Sequence, residues 1–216
     1  ENLAHGKGVT EKTMQELADS GVDAFTSGNH VFDNLPQAIS CFEKYPSFIR
    51  PANYLTLPAK GVQEGVLPPC PGRGYSRIEK NGKNYLIINL NGRTFFDKQF
   101  PQGMGNPFFT FDGLLESVYR EGDILFVDMH AEATSEKQAF GFYADGKAAC
   151  VVGTHTHTPT QDFRVLPQGT GYVTDVGMNG PFNSVIGVKV ENSLNLFLER
   201  GKLVMEPEEM GPRVLN

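Results

Sequence analysis

The chain has 216 residues, of which 39% are hydrophobic and 20% charged, a balance that suits a single globular domain with a sizeable core. A formal net charge of −6 argues against a general basic groove for nucleic acid, and no uninterrupted apolar run is long enough to span a bilayer. Cys41, Cys70 and Cys150 are odd in number and lack a C-x-x-C spacing, so neither a disulfide framework nor a thiolate metal knuckle is expected, and a reducing, cytoplasmic setting is the default.

Thr10 is placed to cap a helix whose apolar positions Met14, Leu17 and Ala18 follow at helical spacing, with Gly21 closing it. VDAFTSGNH then reads as a short strand ending in a loop, and Leu35 to Lys44 as a second helix with Pro36 in its first turn. In RIEKNGKNYLIINL two extended runs flank Asn81-Gly82, a strong hairpin signal. Lys98 to Pro107 reads as a loop, followed by a helix near Asp112 to Arg120 and the apolar strand DILFVDMH. A helix near Ser135 to Tyr143 leads to the strand AACVVG, and GYVTDVGM is one more strand. Alternating helices and strands with one hairpin predict an α/β layered fold on a largely parallel or mixed sheet.

The unusual polar residues fall where apolar strands end. Asn29 and His30 follow VDAFTSG, His130 follows DILFVD, and His155 and His157 follow ACVVG, so four of the five histidines sit in three such loops. In layered α/β folds, ligands gather at the carboxyl ends of strands. His155 and His157, at i and i+2 beyond a strand, are expected on one side of it.

Each group also has a plain structural explanation. The Gly-Asn-His turn can use Gly28 or Asn29 for a positive φ. Asp128 and His130 can be a histidine held by hydrogen bonds at a sheet end, and Ser135 and Glu136 in HAEATSEK can serve a helix N-terminus. It is the coincidence of all three at strand ends that favours a metal site. Imidazoles with carboxylate and amide oxygens, and no thiolate, suit Mn, Fe, Zn or Ni. These donors are too many for one tetrahedral ion and about right for two. Two ions roughly 3.5–4 Å apart can bridge a hydroxide and stabilise a leaving oxygen at phosphorus, which points to phosphoester hydrolysis.

HGKGVTEK, from His5 to Lys12, lacks the length and the Gly-Lys-Thr ending of a P-loop. Gly6 and Gly8 read as turn residues, Thr10 as a cap, and Lys7 as a weak candidate for substrate binding; the substrate-binding residues are otherwise unassigned.

ENLAHGKGVTEK, SGNH, RPAN, NLNGRTF, DMHAEATSEK, VVGTHTHTPTQD and TDVGMNGP, in that order from Glu1 to about Gly187, resemble the YmdB-like branch of the calcineurin-like metallophosphoesterases. That resemblance implies a four-layer α-β-β-α sandwich, with residues 1–216 as a single, partial domain. It also implies a dinuclear centre of divalent or mixed-valence ions, with iron favoured, and hydrolysis of phosphodiesters, 2′,3′-cyclic nucleotides above all. Carried over by motif, Glu1 would bridge the ions, Asn2, Asn29, His130 and His155 would ligate the second, and His157 the first. His30 would be the proton donor to the leaving group. Family members begin with a strand whose Gly-Asp motif supplies a first-ion ligand, so the expectation is a chain lacking its first strand-helix-strand segment and stopping short at the other end.

Two other readings compete. One is a truncated or inactive member that binds a nucleotide or a protein partner. The other is a metal amidohydrolase, which also uses His-x-His at a strand end, but near the start of its barrel. The expected partners are a small phosphodiester or cyclic nucleotide, RNA ends and a second copy of the chain, with no membrane.

Overall fold

The computed structural model describes residues 6–57, 69–96, 99, 103–202 and 204–215. The chain opens with α1 (Glu11–Asp19) and α2 (Leu35–Lys44). Thr10 caps α1 by accepting the Thr13 N–H at 3.2 Å, while Thr13 Oγ1 accepts the Thr10 N–H at 3.1 Å. Gly6, Gly8 and Gly21 all adopt positive φ, the turn roles expected of them.

Between the two helices, the strand expected over VDAFTSGNH reduces to one parallel bridge, Phe25 to Phe48. The ladder stops because the Ser27 N–H goes to the Asn89 side-chain oxygen at 3.2 Å and the Ser27 hydroxyl goes to the Ile49 carbonyl at 2.8 Å. Bonds from residues distant in sequence have replaced the next rung.

β1 (Tyr75–Lys80) and β2 (Lys83–Asn91) form the expected hairpin, with Asn81 at φ 54° and Gly82 at φ 70°, both positive as a type I′ turn requires. α3 (Pro107–Val118) starts earlier than the expected Asp112. Asn106 accepts the Phe108 N–H at 2.9 Å and Pro107 occupies the first turn, so this Asn-Pro pair is a helix start and not the end of a loop. β3 (Ile124–His130), α4 (Thr134–Ala144) and β4 (Cys150–Thr154) follow near their expected places. β5 (Arg164–Val165) and β6 (Gly171–Val173) complete a six-stranded sheet in the order β1-β2-β3-β4-β6-β5, parallel from β2 through β6. GYVTDVGM is a strand only as far as Val173, because the Asp175 N–H turns aside to Thr160 Oγ1 at 3.0 Å. β7 (Gly180–Pro181) and β8 (Arg213–Val214) make a short antiparallel ladder, and α5 (Val190–Phe197) lies between them in sequence. The architecture is a mixed α/β fold built on a parallel-rich sheet.

The two faces of the sheet differ in chemistry. Leu86, Ile88 and Leu90 of β2, with Leu125, Val127 and Met129 of β3, pack against Phe111 of α3 and Phe140 of α4 in the main core. Alternation turns Asn89, Asn91, Asp128 and His130 to the opposite face, and the register places Asn89 beside Asp128, Asn91 beside His130, and His130 beside Thr154. A row of buried polar groups thus lines the carboxyl ends of β2 and β3, with the half-buried Thr154 of β4 beside it. A second apolar cluster, including Met14, Val31, Phe32, Cys41 and Tyr54, anchors α1 and α2. Among the described residues, no helix is long and apolar enough to cross a membrane.

Candidate metal centre

Three residues from separate loops and strands meet at this polar edge. His130 Nε2, at the end of β3, lies 3.0 Å from Asn29 Oδ1 and 3.1 Å from His155 Nδ1. Their other bonds determine which atoms carry protons. The Thr154 hydroxyl donates to Asp128 Oδ1 at 2.7 Å, so the same oxygen, 3.0 Å from His130 Nδ1, must accept there. The Nδ1 of His130 therefore holds its proton and Nε2 presents a lone pair. His155 Nε2 lies 3.1 Å from Glu132 Oε2, so in the neutral ring Nε2 carries the proton and Nδ1 the lone pair. The Asn29 amide donates through Nδ2 to Gln99 Oε1 at 3.3 Å, and Gln99 Nε2 donates back to the Asn29 carbonyl at 3.0 Å, turning Oδ1 toward the imidazoles.

Three lone-pair atoms thus converge, with Asn29 Oδ1 and His155 Nδ1 each about one hydrogen-bond length from His130 Nε2. Such a group is repulsive by itself and suits a cation, so these residues fit a metal. Among the described residues no three His, Cys, Asp or Glu side chains make such a group, and the third donor here is an amide oxygen. Asn89 Nδ2, itself fixed by Ser27, donates to Asp128 Oδ2 at 3.3 Å and completes a chain running from Ser27 through Asp128 and Thr154 to His130. Phe96, buried, sets its ring edge-on to His155 with centroids 5.0 Å apart and walls one side.

The loop after β4 carries the His-x-His pair in an unusual backbone. His155 has φ 106° and His157 φ 65°, a left-handed region that costs a non-glycine residue of order 1–3 kcal/mol. His157 gives its carbonyl to the Met178 N–H at 3.2 Å. His30, beside Asn29, is partly exposed, and its Nδ1 lies 2.8 Å from Asp33 Oδ2. Lys7 is exposed. Glu1, Asn2 and His5 lie outside the described residues.

Of the residues singled out from sequence, Asn29, His130 and His155 are in direct contact, and His30 and His157 flank two of them. Two plain readings need correction. Neither Gly28 nor Asn29 has a positive φ; Gly28 is glycine because a Cβ there would overlap the His130 ring. Ser135 and Glu136 do lie in the first turn of α4, but no side chain among the described residues caps that helix, and the Glu136 carboxylate accepts the Arg93 N–H at 2.9 Å and the Thr94 N–H at 3.1 Å. Glu132, Thr154, Asn89, Gln99, Lys137 and Asp175 complete the surround without a sequence signal of their own beyond the Asp-x-His spacing at 128 and 130.

The family model for YmdB-like protein matches residues 1–216. A 2′,3′-cyclic-nucleotide 2′-phosphodiesterase of Bacillus subtilis (strain 168) is 43% identical over 197 residues, covering 91% of this chain and 68% of that protein. Among solved structures, a hypothetical protein from Thermus thermophilus is 37% identical with a TM-score of 0.80, covering 96% of this chain and 74% of that one. A structure described as a novel phosphatase from Mycoplasma pneumoniae is 35% identical with a TM-score of 0.77, covering 95% of this chain and 68% of that one. A match along the whole chain, with this likeness in sequence and fold, means that the chain belongs to the YmdB-like family.

Proposed function

We propose that this protein is a metal-dependent phosphodiesterase acting on 2′,3′-cyclic nucleotides. The observation that carries the reading is the convergence of Asn29 Oδ1, His130 Nε2 and His155 Nδ1, each oriented by a bond to its other end. The substrate class comes from the Bacillus subtilis relative, whose name gives it. Asn29, His130 and His155 would hold one ion, and His157, Glu1 and Asn2 are proposed as the remaining ligands of a pair. The imidazole and amide donor set suits iron, with manganese, zinc or nickel as alternatives. When bound, the ions would polarise the phosphoryl group and activate water at neutral pH.

The chain's own residues do the rest. His30 is proposed as the proton donor to the departing ribose oxygen. Asp33 holds its Nδ1 at 2.8 Å, which leaves Nε2 as the nitrogen that gives the proton. The buried ring of Phe96 keeps bulk water from one side of the metal-binding imidazoles.

Metal analysis and 2′,3′-cyclic nucleotide hydrolysis, measured together on the parent and on His130→Ala, His155→Ala and His157→Ala, test this. Each variant is expected to lose bound metal and turnover in parallel. Full metal occupancy in all three would remove the assignment. Retained metal in a parent that hydrolyses no phosphodiester would leave a metal-binding protein without this activity.

A further inference from the structure

Lys137 of α4 and Asp175, two residues beyond β6, form an ion pair. Lys137 Nζ lies 2.6 Å from Asp175 Oδ2, and the two side chains are 0% and 1% exposed. Charges taken out of water lose hydration that their attraction returns only in part, so stability alone is a weak reason for such a pair. Its location supplies a better one.

Asp175 Oδ2 also accepts the Thr156 N–H at 3.1 Å, and Oδ1 accepts the Gly177 N–H at 2.8 Å. Thr156 separates His155 from His157, both of which have left-handed backbone. Further bonds sew the same two loops together: Thr160 N–H to the Asp175 carbonyl at 3.0 Å, Val176 N–H to the Gly153 carbonyl at 3.0 Å, and Met178 N–H to the His157 carbonyl at 3.2 Å. Gly153 makes room for the arrangement. A Cβ there would overlap the Thr174 carbonyl and come within 2.9 Å of Lys137 Cδ.

We propose that Lys137 and Asp175 are a positioning pair that holds the His155-Thr156-His157 turn in its left-handed form and so aims the imidazoles at the metal centre. The inference rests on the metal reading above. Neither residue is a ligand in it. An ionised carboxylate accepts an amide N–H more strongly than a neutral acid does, and Lys137 keeps Asp175 ionised where water does not reach. The ammonium acts on the histidines through the carboxylate and one backbone amide.

The test compares Lys137→Met, Asp175→Asn and the double variant Lys137→Met/Asp175→Leu with the parent and with Leu86→Ala, a cavity in the core remote from the loop. Hydrogen exchange of the Thr156 amide, read by NMR in metal-free protein, reports the turn, and titration with Co(II), followed by its d–d absorption, reports the site. Lys137→Met and Asp175→Asn are expected to speed Thr156 exchange about tenfold or more and weaken Co(II) binding about 10–100-fold. Leu86→Ala should lower the thermal midpoint without either change. The double variant replaces the pair by apolar groups and guards against simple misfolding: it should fold, with Thr156 protection and Co(II) affinity still lost. Parent-like protection and affinity in Lys137→Met, or their recovery in the double variant, would overturn the proposal. A parent that takes up no Co(II) would instead overturn the metal reading, and the metal-free exchange of Thr156 would still decide the positioning pair.

Discussion

Gly28 and His130 share one volume: the space a Cβ would fill at residue 28 is taken by Nε2, Cε1 and Cδ2 of the His130 ring. Because the backbone at Gly28 is not left-handed, an alanine there meets no φ penalty and its whole effect falls on the imidazole. Gly28→Ala is therefore expected to push the ring off its line to Asn29 and His155. Bound metal should fall about 10–100-fold in affinity, the usual scale for disturbing the support of a ligand. Overpacking should also lower stability by about 1–3 kcal/mol. Metal titration alongside denaturant unfolding checks this, and unchanged metal affinity would show that the ring is not a ligand.

Thr154 passes a hydrogen bond from His130 to Asp128, and the hydroxyl is what sets the tautomer. Thr154→Val keeps the shape and removes the bridge, leaving the His130 Nδ1–H and Asp128 Oδ1 each short of a bond. The expected cost is about 1–3 kcal/mol of stability, with weakened metal binding. Thr154→Ser restores the hydroxyl and should recover most of both. The same loss in the serine variant would assign Thr154 a packing role only.

Much of this site is legible in the sequence because each donor follows an apolar strand or extended run, and the parallel register of β2, β3 and β4 then brings their ends together. The hairpin at Asn81-Gly82 and the start of α2, with Pro36 in its first turn, are equally local. What escapes is non-local. Gly28 looks like a turn residue until the His130 ring is seen against it. Lys137 looks like a surface lysine on a helix, and only the fold, which sets it against Asp175 and Gly153, shows it fully buried. The expected strand at VDAFTSGNH fails for the same reason, since the Asn89 side chain that takes the Ser27 N–H comes from β2.

Acid should loosen the loop that carries the histidines. Burial pushes the Asp175 carboxyl upward, but the bonds from Lys137, Gly177 and Thr156 outweigh it and hold the group below the ordinary carboxylate range. A carboxyl with a depressed folded pKa contributes stability that is fully present above its unfolded value, about 3.9, and is lost as pH falls through the folded one. Metal-free protein is thus expected to lose stability as pH drops below about 4, with a shallower acid slope in Asp175→Asn. Equal slopes in chemical denaturation at successive pH values would show that Asp175 is not the group responsible.

His30 can be tested as a proton donor because the need for one depends on the leaving group. A ribose oxygen departs as a strongly basic alkoxide unless it is protonated in the transition state, whereas nitrophenolate departs readily without help. His30→Ala should therefore cut turnover of a 2′,3′-cyclic nucleotide about 10²–10⁴-fold, with a clearly smaller loss on bis(p-nitrophenyl) phosphate. Asp33 holds His30 Nδ1 at 2.8 Å, so Asp33→Asn should show the same substrate preference in weaker form. Metal content should stay at the parent level in both variants, since neither removes a proposed ligand. Equal losses on the two substrates would argue against proton donation, and equal losses with depleted metal would move His30 into the coordination shell beside Asn29.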